Sequence, residues 1–201
     1  METWDAIAAR RNVREYADRP IAPDDLDRIL EAGRRSPSSM NEQPWDFVVV
    51  TDRAGLTSLA GVWRYGAHIA GAAAAVALLS PATDDADARE IFAFDLGQAA
   101  MSMMLAAADL GIGSCHSAIG EQDVARGILG FPADRECVII LSLGYPATRP
   151  LARADSPDRR AFDDVVHRER WEAPWGSSRS MGPTSPNSSR SSVARWIATV
   201  S

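Results

Sequence analysis

Residues 87–110 set the longest helical period in the chain, with Phe92, Leu96, Ala99, Met103 and Leu110 close to one face. Any fold has to bury that face. Beside it, Gly97, Ala100 and Ala106 form a seam of small residues that lets another helix approach closely, a pattern suited to a dimer interface. The period alternates elsewhere. Thr3 is placed to N-cap a short helix ending near Arg10, and Pro23 suits the first turn of a helix running to Ala32 and closed by Gly33. In that second helix Leu26, Ile29 and Leu30 make an apolar stripe backed by Asp24, Asp25 and Asp27. Asp46–Thr51 (DFVVVT), Ala75–Ser80 and Glu136–Leu143 read as strands, and a further helix runs from about Glu121 to Leu129. Helices and strands mix without a strict βαβ rhythm, which predicts an α+β fold rather than a doubly wound one.

Residues 1–172 show no internal repeat and no interior linker, so they read as one domain. Residues 173–201 hold nine serines, three prolines and no hydrophobic period, the composition of a disordered tail or linker. The longest apolar run, Ala70–Leu79, is about half of the roughly 20 residues that a membrane span needs. The opening METWDAIAARRNVREY lacks the apolar stretch of a secretory signal, so a cytoplasmic protein without a membrane partner is expected. Cys115 and Cys137 have no metal-ligand or disulfide spacing and are expected to be reduced. All 27 acidic residues but only 18 of the 21 arginines precede Ala173, so the body carries −9 and the remainder +3. Nucleic-acid binding needs a broad basic surface, and this body is acidic. Any anion must be bound locally.

Four constellations carry possible chemistry. Arg10-Arg11-Asn12-x-Arg14 sets three guanidiniums within five residues, enough to grip a phosphate through bidentate hydrogen bonds, although such a cluster also suits a solvated basic turn. Ser36-Pro37-Ser38-Ser39-Met40-Asn41-Glu42-Gln43-Pro44-Trp45 offers donors and acceptors matched to the edges of a planar heterocycle. Within Leu110–Gly120, Gly111 can cap the long helix, and Gly113 and Gly120 let backbone N–H groups approach a ligand. That stretch has neither the GxGxxG nor the GxxxxGK spacing of nucleotide-binding loops. Arg159-Arg160 precedes AFDDVVHRERW and, alone, reads as a surface pair. His68, His116 and His167 fall in no triad or metal motif, and no metal is expected.

In this order the stretches ARRNVREY, SPSSMNEQPWDFVVV, DLGQAAMSMMLAAADLGIGSC, GILGFPADRECVIILSLGYPA and RRAFDDVVHRERW resemble the nitroreductase family of FMN-dependent oxidoreductases, over residues 3–171. The resemblance implies an α+β, three-layer α/β/α sandwich that forms a homodimer with exchanged terminal segments and two FMN molecules at the interface. It implies Arg10, Arg11 and Asn12 at the FMN phosphate and ribityl chain, with Arg159 and Arg160 approaching the same phosphate. Arg14 would lie near the flavin N1/O2 edge, and Arg64 falls where some members contact the pyrimidine ring. Pro37, Ser38, Ser39 and Asn41 would reach the flavin across the interface, and Ile119 and Gly120 match the segment whose amide faces flavin N5. Asn12 stands where the family usually has Ser.

The activity so implied is ping-pong: NADH or NADPH gives hydride to flavin N5, and a nitroaromatic, quinone or related electrophile then takes two electrons. The cofactor carries the chemistry and no protein group need be catalytic, Arg14 acting as an electrostatic tuner. Enone reduction, dehalogenation, flavin breakdown and ring oxidation remain open on the same fold, as does a flavin-binding or storage protein without turnover.

Overall fold

The apolar run expected near residue 75 becomes β2 (Ala74–Pro81), a strand buried almost throughout. Ala74, Val76 and Leu78 enter one core, while Ala75, Ala77 and Leu79 enter another. This is the period-2 alternation of a strand covered on both sides, and it dictates layers above and below the sheet. The computed structural model describes residues 1–154, 158–171 and 175. They belong to two units, Met1–Asp155 and Ser156–Ser201. The expected domain boundary after residue 172 and the serine-rich tail lie outside the described residues, Trp175 apart.

In the first unit β2 pairs with β1 (Asp46–Val50) and β4 (Arg135–Gly144), and β4 pairs with β3 (Gly113–Ser117). The order β1-β2-β4-β3 is antiparallel throughout. Leu78 pairs with Ile139 but Leu79 with Cys137, so Val138 is an extra residue in β4, a bulge that turns Val138 and Ile139 toward one core. On that side α2 (Pro23–Arg34) and α4 (Ala86–Asp109) supply Ile29, Leu96 and Met103. On the other, α3 (Arg53–Leu59) and α5 (Gln122–Leu129) supply Leu56, Leu59 and Ala125. The result is the expected α+β sandwich of three layers, with α1 (Thr3–Ala9) against α4.

Several local expectations change. Thr3 is the first residue of α1 rather than its cap, because the carbonyl of Glu2 already accepts from Asp5 and Ala6. Gly33 does not close α2. The helix runs one residue further to Arg34, and a Cβ on Gly33 would stand 2.1 Å from the Cε of buried Met103, so this glycine serves helix packing. Glu31 steadies the last turn, its carboxyl held at about 2 by hydrogen bonds from Arg34 and Arg35. Gly111 does terminate α4: at φ 73° its N–H donates to Ala108 (3.0 Å) while that of Ile112 reaches Ala107 (2.8 Å), a Schellman closure.

The small-residue seam is partly spent internally, since Ala100 lies in the core and Ala106 packs against it. Gly97 stays open, flanked on the outer face of α4 by Ile91, Phe94 and Met101, which are 44%, 66% and 46% exposed. By length and composition α4 could cross a membrane, which the apolar-run count did not anticipate. Leu96, Ala99, Met103 and Ala107 nevertheless sit fully buried against the sheet, as in the central helix of a folded domain.

Candidate functional site

The arginine-rich stretch forms an extended segment laced to the end of the sheet, not a turn. Val13 N–H donates to Ser114 on β3 (2.9 Å), Ala17 N–H to Tyr145 (2.8 Å), and Ala147 N–H to Glu15 (3.0 Å). Extended backbone alternates its side chains, so Val13 is buried while Asn12 and Arg14 face outward. Gly113 permits this seat: a Cβ there would lie 2.5 Å from Val13 Cγ2 and 2.7 Å from Val13 Cβ. Its bareness is used by Val13 rather than by a ligand. Gly113→Ala therefore overpacks a β-branched neighbour, and denaturant titration should show a loss of about 1–3 kcal/mol.

Arg11, Asn12, Val13, Arg14 and Glu15, with Pro146 and Thr148 from the far side, line an open depression of about 180 Å³. Arg11 Nη2 donates to the carbonyl of Arg149 (2.5 Å), but its buried Nε finds no partner among the described residues. Burial first, and the positive charge of Arg149 second, push the Arg11 guanidinium below its ordinary value. Half-buried Arg11 is thus crowded by the exposed cation of Arg149. Arg10, also half-buried, closes α1 by donating its N–H to Ala6 (3.0 Å).

Next to this segment is a polar network that the sequence reading missed. Ser142, fully buried on β4, lies 2.8 Å from the Tyr16 hydroxyl and 2.9 Å from His68 Nδ1, and 3.0 Å from the carbonyl of Cys115. The Cys115 carbonyl accepts from the Ser142 hydroxyl, and the Tyr16 hydroxyl also reaches the Ser142 carbonyl (3.3 Å). Burial raises the Tyr16 hydroxyl and the Cys115 thiol, so both stay protonated near neutrality, whereas burial and then the charges of Arg14 and His116 lower His68. Unfolded histidine gains its proton near 6.5, folded His68 only below that, so the unfolded chain binds more protons and stability falls as pH drops through about 6.5. Denaturation at pH 7.5 and 5.5 should show a larger acid loss in the native sequence than in His68→Asn. One signal was available in the sequence: Ser142 is the lone polar residue in the apolar run VIILSL.

The hydroxyl-rich loop is pinned to α4. Ser36 Oγ lies 2.8 Å from Ser102 Oγ, the Pro37 carbonyl accepts from Gln98 Nε2 (3.4 Å), and Ser39 N–H donates to the Asp95 carboxylate (3.0 and 3.1 Å). Ser38 Oγ accepts from Gln43 N–H (2.9 Å), while Pro37 and Asn41 are exposed. Ile119 packs against the α3/α5 core, and Gly120 N–H donates to Val62 (3.0 Å) with Trp63 where a Cβ would stand. The guanidinium of Arg64 lies 5.3 and 4.9 Å from the ring centres of Trp63 and Tyr65. Arg159 and Arg160 belong to the second unit, are exposed, and donate to the carbonyls of Asp158 (2.6 Å) and Asp164 (2.7 Å). The structure thus gathers Arg11, Asn12 and Arg14 at one depression, and Pro37, Ser38, Ser39 and Asn41 in one loop.

The sequence model described as Nitroreductase family matches residues 7–75 and 62–145. A relative from Archaeoglobus fulgidus, provisionally named NADH dehydrogenase/NAD(P)H nitroreductase, is 33% identical over 170 residues, 82% of this chain and 96% of that one. Another of the same provisional name, from Methanothermobacter thermautotrophicus, is 33% identical over 85% of this chain and 88% of its own. Among solved structures, an FMN-dependent nitroreductase from Clostridium difficile superposes with a TM-score of 0.72 at 27% identity, covering 84% of this chain and 99% of that one.

Proposed function

Because the chain belongs to the nitroreductase family, we propose that it is an FMN-dependent NAD(P)H oxidoreductase acting on nitroaromatic, quinone or related electrophilic acceptors. The observation that carries the reading is Arg11: a guanidinium with a buried, unpartnered Nε, crowded by Arg149 and opening on a depression beside Arg14. Such a donor set fits a phosphate dianion, which would supply the missing acceptor and neutralise the crowded charge. When bound, FMN supplies the two-electron chemistry, accepting from NAD(P)H and delivering to the acceptor at one exposed face.

The protein's own part is to bind and bias. Arg11, Asn12 and Arg10 hold the phosphate end, with Arg159 and Arg160 proposed as further partners. Arg14 places a positive charge where the ring accumulates negative charge, and the loop bearing Pro37, Ser38, Ser39 and Asn41 meets the ring. The segment at Ile119 and Gly120 is assigned to the N5 side, where Gly120 already spends its N–H on Val62. A depression of about 180 Å³ takes a phosphate and its linker, well short of the roughly 300 Å³ or more of a drug-sized ligand pocket. The ring therefore needs walls from elsewhere. A second copy of the chain is the reading that also covers Ile91, Phe94 and Met101, and the proposed enzyme is a homodimer.

Purified protein incubated with excess FMN and desalted should be yellow, bleach anaerobically with NADH or NADPH, and recover colour on adding a nitroaromatic or quinone. A colourless product refutes flavin binding. Colour that neither nicotinamide bleaches marks a storage protein instead.

A further inference from the structure

We infer that Asp95, supported by Gln98, is a positioning residue of the flavin site, holding the Ser38–Gln43 loop in a backbone shape that the loop would not keep alone; the inference rests on the FMN reading. Asp95 is an acid on the inward side of α4, next to buried Leu96, and is only 1% exposed. A buried carboxylate is costly unless its oxygens are bonded, so its partners show what it is for. They converge on one residue of the loop: Ser39 N–H reaches both oxygens (3.0 and 3.1 Å), and Ser39 Oγ reaches Oδ1 (3.4 Å). Gln98, one turn along α4, bridges Oδ1 (3.4 Å) and the Pro37 carbonyl (3.4 Å). The clamp thus grips the loop on both sides of Ser38.

Immediately beyond it the backbone is strained. Met40, Asn41 and Gln43 have φ of 50°, 59° and 52°, and of these only Asn tolerates the left-handed region readily. Such conformations persist where surrounding contacts over-determine them. Within the loop, Ser38 provides internal ties, its carbonyl accepting from Asn41 N–H (3.0 Å) and its Oγ from Gln43 N–H (2.9 Å). These ties orient the turn about its own ends, whereas Asp95 fixes it to the rigid helix. The side chain of Met40 is 92% exposed, so its apolar packing contributes nothing to holding the turn. Asp95 acts on the ring only through Ser39 and its neighbours.

The test compares Asp95→Asn with the native protein, each in the apo and FMN-loaded state. Asn keeps the shape but sets an N–H group where an acceptor faced Ser39 N–H. The FMN Kd is expected to rise on the order of tenfold. The visible band of bound FMN should shift, and amide exchange should accelerate at residues 38–43 while β2 and β4 keep their protection. Gln98→Ala, which leaves the carboxylate in place, should move the same readouts less and serves if Asp95→Asn does not fold. Unchanged Kd and spectrum in the variants, even with a lower Tm, overturn the inference. So does an exchange increase spread over the whole sheet, the mark of a merely structural role. Failure of the native protein to bind FMN refutes the functional reading instead, and that outcome is separate because the exchange comparison needs no flavin.

Discussion

Arg11→Met abolishes most of the stabilisation that FMN confers while leaving the flavin-free protein nearly as stable as before. Met retains the unbranched stem that fills the half-buried place and removes the guanidinium. In the flavin-free protein that group is desolvated, repelled by Arg149 and, among the described residues, unpartnered at Nε, while its Nη2 donates to the Arg149 carbonyl. Its loss should shift the apo Tm by no more than about 2 °C, since the bond removed is offset by the desolvation and repulsion removed with it. With FMN the balance reverses. Charge-assisted bonds to a phosphate are each worth about 1.5–3 kcal/mol, so FMN affinity should fall roughly 10- to 100-fold. Riboflavin, which lacks the phosphate, should bind both proteins alike. At a hundredfold excess over Kd, FMN stabilises the native protein by about 2.7 kcal/mol, or on the order of 5–10 °C at this size. That gain should nearly vanish in the variant. Equal loss of riboflavin and FMN binding would place Arg11 away from the phosphate.

What the sequence could disclose follows from which forces act locally. The helices α2, α4 and α5 and the strands β1, β2 and β4 were legible because each turns apolar residues toward a core, and that writes a period into the residues themselves. The missed elements lack that imprint. β3 is Gly-Ser-Cys-His-Ser, poor in strand formers, and it forms because β4 and the Val13 segment present a ladder for it to join. In α3, Gly55 breaks the helical pattern, although the Asp52 side chain caps the helix by accepting from Gly55 N–H (2.7 Å). The site divides the same way. Arg11, Asn12 and Arg14 are neighbours in sequence, so their meeting at one depression could be read directly. The Tyr16–Ser142–His68 network joins residues 126 and 74 positions apart, and only the fold brings them together. Asp95 left one trace, a carboxylate among Phe94, Leu96 and Ala99, whose partner no local rule could name.

Arg14→Ala should slow the reduction of bound FMN by NAD(P)H about 10- to 100-fold, at or below the lower end of what loss of one oxyanion-stabilising donor costs, because the site is open to water. Arg14→Lys preserves the charge and should retain most of the rate, which separates electrostatics from shape. A second readout needs no cofactor. After burial, Arg14 makes His68 more acidic by repelling its proton, and it pulls the Cys115 thiol down against the upward push of burial. Removing its charge should let His68 rise toward its ordinary value and carry Cys115 further up. Both shifts are measurable by NMR titration of the flavin-free protein. The two experiments together locate the guanidinium. Slower reduction with a moved His68 titration puts Arg14 between the ring and the buried network, so that one charge serves both. An unmoved rate with a moved titration would confine it to the network and leave the ring's negative charge to another donor.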